Sequence, residues 1–167
     1  MEYALMIDTR NCVGCSACEI ACKQEHNLPV GPRWIKVFPD APKEIEGRVQ
    51  LRYVVTHCMH CSQPQCQKVC SAGAIIKRAD GIVLIDEALC IGCKECIEAC
   101  PLGAMCFDEK KAVVAKCDLC VHRIDSGLQP ACAAACPAHC IYFGDAGLVA
   151  RHLGKQGLLI RYKAVTQ

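Results

Sequence analysis

Residues 85–101 read IDEALCIGCKECIEACP, and the same pattern stands near the start of the chain, where residues 7–22 read IDTRNCVGCSACEIAC. The two stretches align without a gap and share eight of sixteen positions: Ile, Asp, Gly, Ala and four cysteines. Self-similarity of this kind bears on the architecture before any secondary structure is assigned. A looser pair accompanies it. Residues 58–70 read CMHCSQPQCQKVC and residues 117–136 read CDLCVHRIDSGLQPACAAAC. Each has C-x2-C, a spacer of four or eleven residues, then C-x3-C and a small-residue turn leading to Ile. The chain reads as two copies of a unit that carries two motifs. Four motifs use sixteen of the eighteen cysteines and leave Cys106 and Cys140 outside.

C-x2-C-x2-C-x3-C followed by Pro is the spacing with which bacterial ferredoxins hold a 4Fe-4S cubane. Two residues between cysteines let a tight loop bring three thiolates to three corners of the cube, and the fourth lies on the helix that leaves the loop. In two-cluster ferredoxins that fourth cysteine ligates the other cluster. A structural zinc protein is the competing class, because CDLC with CAAAC after eleven residues suits a four-cysteine zinc site when taken alone. Two motifs with three evenly spaced cysteines fit a single tetrahedral ion poorly, so iron-sulfur is preferred throughout.

Composition points the same way. Only 5% of the 167 residues are aromatic, too few for a large apolar core, so sulfur chemistry is expected to replace part of it. The opening MEYALMIDTRNC shows no basic leader, apolar h-region or twin arginine, which predicts a cytoplasmic chain with reduced thiols rather than a disulfide scaffold. No run approaches the roughly 18 apolar residues of a membrane span. A formal charge of +2 without a basic stripe argues against nucleic acid.

The predicted fold class is α+β: short helices and small antiparallel hairpins in two bacterial-ferredoxin-like modules. GAIIKRADGIVLID (73–86) and AMCFDEKKAVVAK (104–116) read as hairpins, and Pro101 and Pro137 stop helices. From motif two to motif three the layout is that of a complete two-cluster ferredoxin, giving an inner module over 53–108. Motifs one and four then form an outer module over 1–52 and 109–150, with EYALMID pairing with CIYFGD. The rival pairing joins motifs three and four, which are sixteen residues apart. Residues 27–56 read as an irregular insertion, and 151–167 as a C-terminal tail. His57 and His60 are candidates to tune a cluster or to pack; Trp34 is a packing or interface anchor; Cys106 and Cys140 are expected as buried free thiols. Nothing resembles a nucleophile with its base, so no catalytic residue is expected.

The order of the four motifs, with KCDLC at 116–120 and FGD at 143–145, resembles the iron-sulfur B subunit family of dimethyl sulfoxide reductase over about residues 3–146. The resemblance implies a non-catalytic electron-transfer subunit with four 4Fe-4S clusters whose fourth cysteines are exchanged. One cluster would take Cys12, Cys15, Cys18 and Cys136, and its neighbour Cys117, Cys120, Cys132 and Cys22. The inner pair would take Cys58, Cys61, Cys66 and Cys100, then Cys90, Cys93, Cys96 and Cys70. Ser71 departs from the Pro usual after that motif, which is expected to loosen the helix stop.

The chain is short for the family and resembles the small members that accompany tungsten enzymes of the aldehyde:ferredoxin oxidoreductase type, including benzoyl-CoA reductases. The partners so implied are a tungsten- or molybdenum-pterin catalytic subunit, an FAD-containing subunit or ferredoxin, and further copies of the chain within the complex. Other memberships are a formate dehydrogenase, hydrogenase or carbon monoxide dehydrogenase complex, or a free polyferredoxin. Four oxidised cubanes with four thiolates each would add about −8 and bring the holoprotein to about −6, so basic side chains should offset buried clusters.

Overall fold

The structure, a computed structural model, describes residues 1–154. Among these, ten strands form five two-stranded antiparallel ladders and six helices lie between them. The architecture is the expected α+β one.

Strand β1 (Tyr3–Ile7) pairs with β10 (Ile141–Asp145), Tyr3 opposite Asp145 and Ile7 opposite Ile141, as the sequence predicts. Residues two apart in a strand share a face, so Tyr3, Leu5 and Ile7 point together into the larger core. Two further ladders fall where hairpins are expected. One is β6 (Ile75–Lys77) with β7 (Val83–Ile85); the other is β8 (Met105–Asp108) with β9 (Val113–Lys116).

Residues 27–56 are not irregular. They contain β2 (Ile35–Pro39), β3 (Lys43–Ile45), β4 (Arg48–Gln50) and β5 (Tyr53–His57), paired β2 with β5 and β3 with β4. Prolines and charges mask the signal, yet cross-strand pairs of β-branched and aromatic residues hold the ladder: Val37 faces Val55, and Phe38 faces Val54. Glu46 and Gly47 both have positive φ, 53° and 73°, as a two-residue type I′ hairpin turn demands. The β2–β5 ladder crosses the expected boundary at residue 52.

The helices are brief. α1 (Ala17–Glu25) has nine residues; α2 (Gln65–Lys68), α3 (Glu95–Glu98), α4 (Val121–Ile124) and α5 (Ala131–Ala134) have four each. α2 is as short as α3 although Ser71 stands where Pro101 follows the other. Each is succeeded by the same turn, with Gly73 N–H donating to Cys70 O at 3.1 Å and Gly103 N–H to Cys100 O at 3.2 Å. Ser71 therefore does not lengthen the helix. α6 (Ala146–Gly154) takes up the start of the expected tail, and 155–167 lie outside the described residues.

Two buried clusters form the interior. The larger gathers Leu5, Ile7, Ile35, Leu119, Ile124 and Ile141 around Cys18, Cys22, Cys132, Cys136 and Cys140. The smaller is Ile75, Val83, Cys96, Met105 and Val114. Ile82, at the base of the β6–β7 turn, is 0% exposed and belongs to the larger cluster, so the inner hairpin reaches into the outer core. Arg78 reinforces the junction with two bonds to the Asp125 carboxylate, 3.0 and 2.8 Å. Among the described residues no helix is long and apolar enough to cross a membrane.

Candidate metal centres

The repeat seen in the sequence is also a repeat of backbone conformation. Gly14 and Ser16 have φ of 69° and 58°, and the aligned Gly92 and Lys94 have 69° and 65°. Left-handed residues two apart turn the chain twice within C-x2-C-x2-C and bring its three cysteines to one side. Gly92 is required on a second ground, since a Cβ there would stand 2.5 Å from the Ala112 carbonyl oxygen. Ser16 and Lys94 accept a conformation costing non-glycine residues roughly 1–3 kcal/mol, a sign of a backbone shaped for binding.

The motifs surround four cavities. Cys12, Cys15, Cys18 and Cys136 line one, with Cys140 beside them. Cys22, Cys117, Cys120 and Cys132 line a second, Cys58, Cys61, Cys66 and Cys100 a third, and Cys70, Cys90, Cys93 and Cys96 a fourth. These are the four groups that the family resemblance implies. Three of the cavities are narrow. The cavity at Cys58 is wider and is lined towards its mouth by Met59, Gln63 and Gln65.

The exchange between cavities follows from C-x3-C, which lies wholly on α1 for Cys18 and Cys22 and elsewhere runs from a helix into the turn that closes Cys70, Cys100 and Cys136 N–H onto Gln67, Ile97 and Ala133 O. Four residues advance a helix by about 6 Å while keeping nearly the same face. Cys18 and Cys22 on α1 thus face adjoining cavities, and Cys132 and Cys136 return the same way. Cys66 with Cys70, and Cys96 with Cys100, tie the other two. Between these pairs, His57 lines the Cys22 cavity and the next residue, Cys58, lines the third. The cavities therefore stand in the order Cys12, Cys22, Cys58, Cys70.

None of the eighteen cysteines is joined to another in a disulfide. Burial pushes the thiols of Cys18, Cys66, Cys96 and Cys120 up to about 11, and those of Cys22, Cys117 and Cys132 up as well. Neighbouring thiols raise most of them further. Iron must displace these protons, and soft thiolates gathered four to a cavity are the donor set that iron-sulfur cubanes use. The residues present fit the group.

Lys116 supplies a buried cation. It is 4% exposed, and its Nζ donates to Val83 O and, at 2.9 Å, to Cys117 O. Its charge opposes the upward shifts of Cys61, Cys66 and Cys117. Carbonyls alone do not offset the several kcal/mol that burying an ammonium costs. The position suits a boundary between anionic clusters, where basic residues are expected.

His57 and His60 are both buried. His57 Nδ1–H donates to Cys58 O at 2.8 Å, and the ring lines the Cys22 cavity; His60 Nδ1 accepts Val83 N–H at 3.0 Å. Burial holds both rings below the usual histidine range. Trp34 packs on the larger core with its ring 4.5 Å from that of His26. Cys106 is half-buried rather than buried; it donates to Ala115 O at 3.4 Å and lines none of the four cavities.

Two residues escape a reading of cysteine motifs. His26 Nε2 lies 3.3 Å from Cys120 Sγ and 3.4 Å from Asp118 Oδ1. Its signal is the continuation of the i, i+4 ladder Cys18, Cys22, His26 along α1. Asp8 is the second, present in the repeat as the partner of Asp86. It is 0% exposed and accepts Arg10 N–H, Nε and Nη2 and Asn11 Nδ2 at 3.0–3.1 Å, which fixes the entry to the first loop.

Arg10 holds the Asp8 carboxyl below its ordinary value. A lowered carboxylate stabilises the fold above the unfolded value of about 3.9 and ceases to do so as pH falls through the folded value. Asp8→Asn is expected to cost about 1–3 kcal/mol at neutral pH through its lost charged hydrogen bonds. Thermal unfolding of the holoproteins from pH 7 downward should show the two curves converging below about pH 4. A gap independent of pH would refute this role.

A family model described as a 4Fe-4S dicluster domain matches residues 49–146. The B subunit of the anaerobic dimethyl sulfoxide reductase of Escherichia coli is 39% identical over 86% of this sequence and 73% of its own length. This protein belongs to the dimethyl sulfoxide reductase iron-sulfur B subunit family. The dimethyl sulfoxide reductase iron-sulfur B subunit of Halobacterium salinarum is 36% identical over 86% of this sequence, which spans 66% of that relative. The thiosulfate reductase electron transfer subunit of Salmonella typhi is 33% identical over 93% of this sequence and 83% of its own length. As a member of the B subunit family the protein holds 4Fe-4S clusters and is an electron-transfer subunit, not a catalytic one.

Proposed function

We propose that this protein relays single electrons through four 4Fe-4S clusters, held by the sixteen cysteines in the four groups above. The observation that carries the reading is the row of four cavities, each lined by one such group. When bound, each cubane supplies a site that takes up and returns an electron. The chain's own residues fix the spacing of the sites through the C-x3-C segments, bury Cys22, Cys120 and Cys132 at the second site and place Lys116 beside the row.

The two ends of the row are alike. Cys15 and Cys93 are exposed, and beside them Val13 and Ile91, at the same repeat position, are 61% and 68% exposed. Between them Cys22, Cys58, Cys120 and Cys132 are buried, while Cys61, Cys66 and Cys100 of the wider third cavity are half-buried. That distribution supports exchange with partners at both ends. The proposed modules are 53–108 and the remainder of 1–150, joined along Cys58 and Cys117.

One partner in this reading is a molybdenum- or tungsten-pterin catalytic subunit. The other is an FAD-containing subunit or a ferredoxin, with copies of the chain associating inside the complex in the cytoplasm. The names of the relatives support a reductase partner, whereas tungsten rests on the resemblance alone. Anaerobic purification of the native complex tests the reading. Brown protein with about sixteen irons per copy of this chain is expected. Colourless protein with stoichiometric zinc would overturn it.

A further inference from the structure

Cys140 is left over by the four motifs, yet the structure places it at one of them. It is 3% exposed and lines the cavity of Cys12, Cys15, Cys18 and Cys136, so five thiols surround one site. The other three cavities have four each. Cys140 Sγ lies 3.5 Å from Cys136 Sγ, and Cys136 is itself 7% exposed. The fold holds both. Asp8 N–H donates to Cys140 O at 2.8 Å, Ile141 pairs with Ile7, and His139 N–H donates to Cys136 O at 3.1 Å across the short turn between the two cysteines. A cubane takes one protein thiolate at each of its four irons. Five thiols at such a site are one more than it can use.

We infer that Cys140 is an alternate iron ligand, able to take the corner that Cys136 serves. The inference rests on the iron-sulfur reading above. In the exchange the iron–Sγ bond of Cys136 breaks and one to Cys140 Sγ forms. The proton leaving Cys140 passes along the S···S contact to the Cys136 sulfur, so charge and iron oxidation state are unchanged and no outside acid or oxidant enters. The cavity thereby keeps its cubane when Cys136 is lost or blocked.

Iron and sulfide analysis with electron paramagnetic resonance of the reduced, anaerobically purified full chain tests this. Cys140→Ala is expected to keep the wild-type iron content. Cys136→Ala should keep it too, with an altered signal from one cluster, while Cys136→Ala/Cys140→Ala should lose about a quarter of the iron. If Cys136→Ala loses that quarter by itself, the inference is overturned. Should Cys136→Ala fail to fold, prolonged alkylation of the wild-type holoprotein decides. Exchange labels Cys136 in some molecules and Cys140 in others, whereas label on Cys140 alone counts against it. Wild-type protein devoid of iron would instead strike down the reading on which the inference rests.

Discussion

Cys22→Ala is expected to remove the cluster at Cys117, Cys120 and Cys132 and to leave the one at Cys12, Cys15 and Cys18 in place. Sequence proximity suggests the opposite, since Cys22 follows Cys18 by four residues. The helix decides otherwise. One turn of α1 carries the Cys22 thiol, 6% exposed, into the cavity lined by Cys117, Cys120 and Cys132, and those residues lie about a hundred positions away in the sequence. Cys117 and Cys120 are also the thiols whose charge acts most strongly on it. An iron left without its thiolate is released or takes an outside ligand. Iron content should fall by up to about a quarter. The resonance spectrum of the reduced variant should resemble that of Cys117→Ala, not that of Cys12→Ala. A match to Cys12→Ala would contradict the exchange of fourth cysteines.

Removal of iron should unfold the chain. The smaller core is Ile75, Val83, Cys96, Met105 and Val114. Only four of these are large apolar side chains, a small buried set for residues 53–108, and the fifth is a thiol. The larger core has the same weakness, because five of its thirteen buried members are cysteines. Without metal these face one another across open cavities. Treatment with an iron chelator under mildly oxidising conditions should therefore abolish the far-ultraviolet circular dichroism of the fold, and reconstitution with iron, sulfide and a thiol reductant should restore it. An apoprotein that keeps its spectrum and melts cooperatively would show that the cores suffice.

Much of this molecule can be read from its cysteines because cluster ligation is largely a local matter. Two residues between thiols and then three define a loop and one helical turn wherever they occur, so the motifs and their helices need no tertiary information. The hairpins at 75–85 and 105–116 are legible for a similar reason, β-branched runs closing over a short turn. The strands of 27–56 are hidden because their stability lies in cross-strand pairs such as Val37 with Val55, not in local composition. His26 and Asp8 are hidden because each acts by contact: His26 with Cys120, ninety-four positions away, and Asp8 by holding a loop whose far side is strand β10.

The sequence by itself determined the four motifs, the α+β class and the B subunit likeness, since these depend on residue type and spacing along the chain. Tertiary structure alone decided that Cys140 stands at the first motif's cavity while Cys106 stands at none, that Lys116 is buried between Val83 and Cys117, and that Ile82 joins the two cores. Both surplus cysteines follow a motif in similar strand-like surroundings. Cys140 follows Cys136 by four residues across one short turn, whereas Cys106 follows Cys100 by six; the pairing of β1 with β10 then sets Ile7 beside Ile141 in the wall of the cavity that Cys140 enters, because long-range register is fixed by which faces the folded chain can bury together.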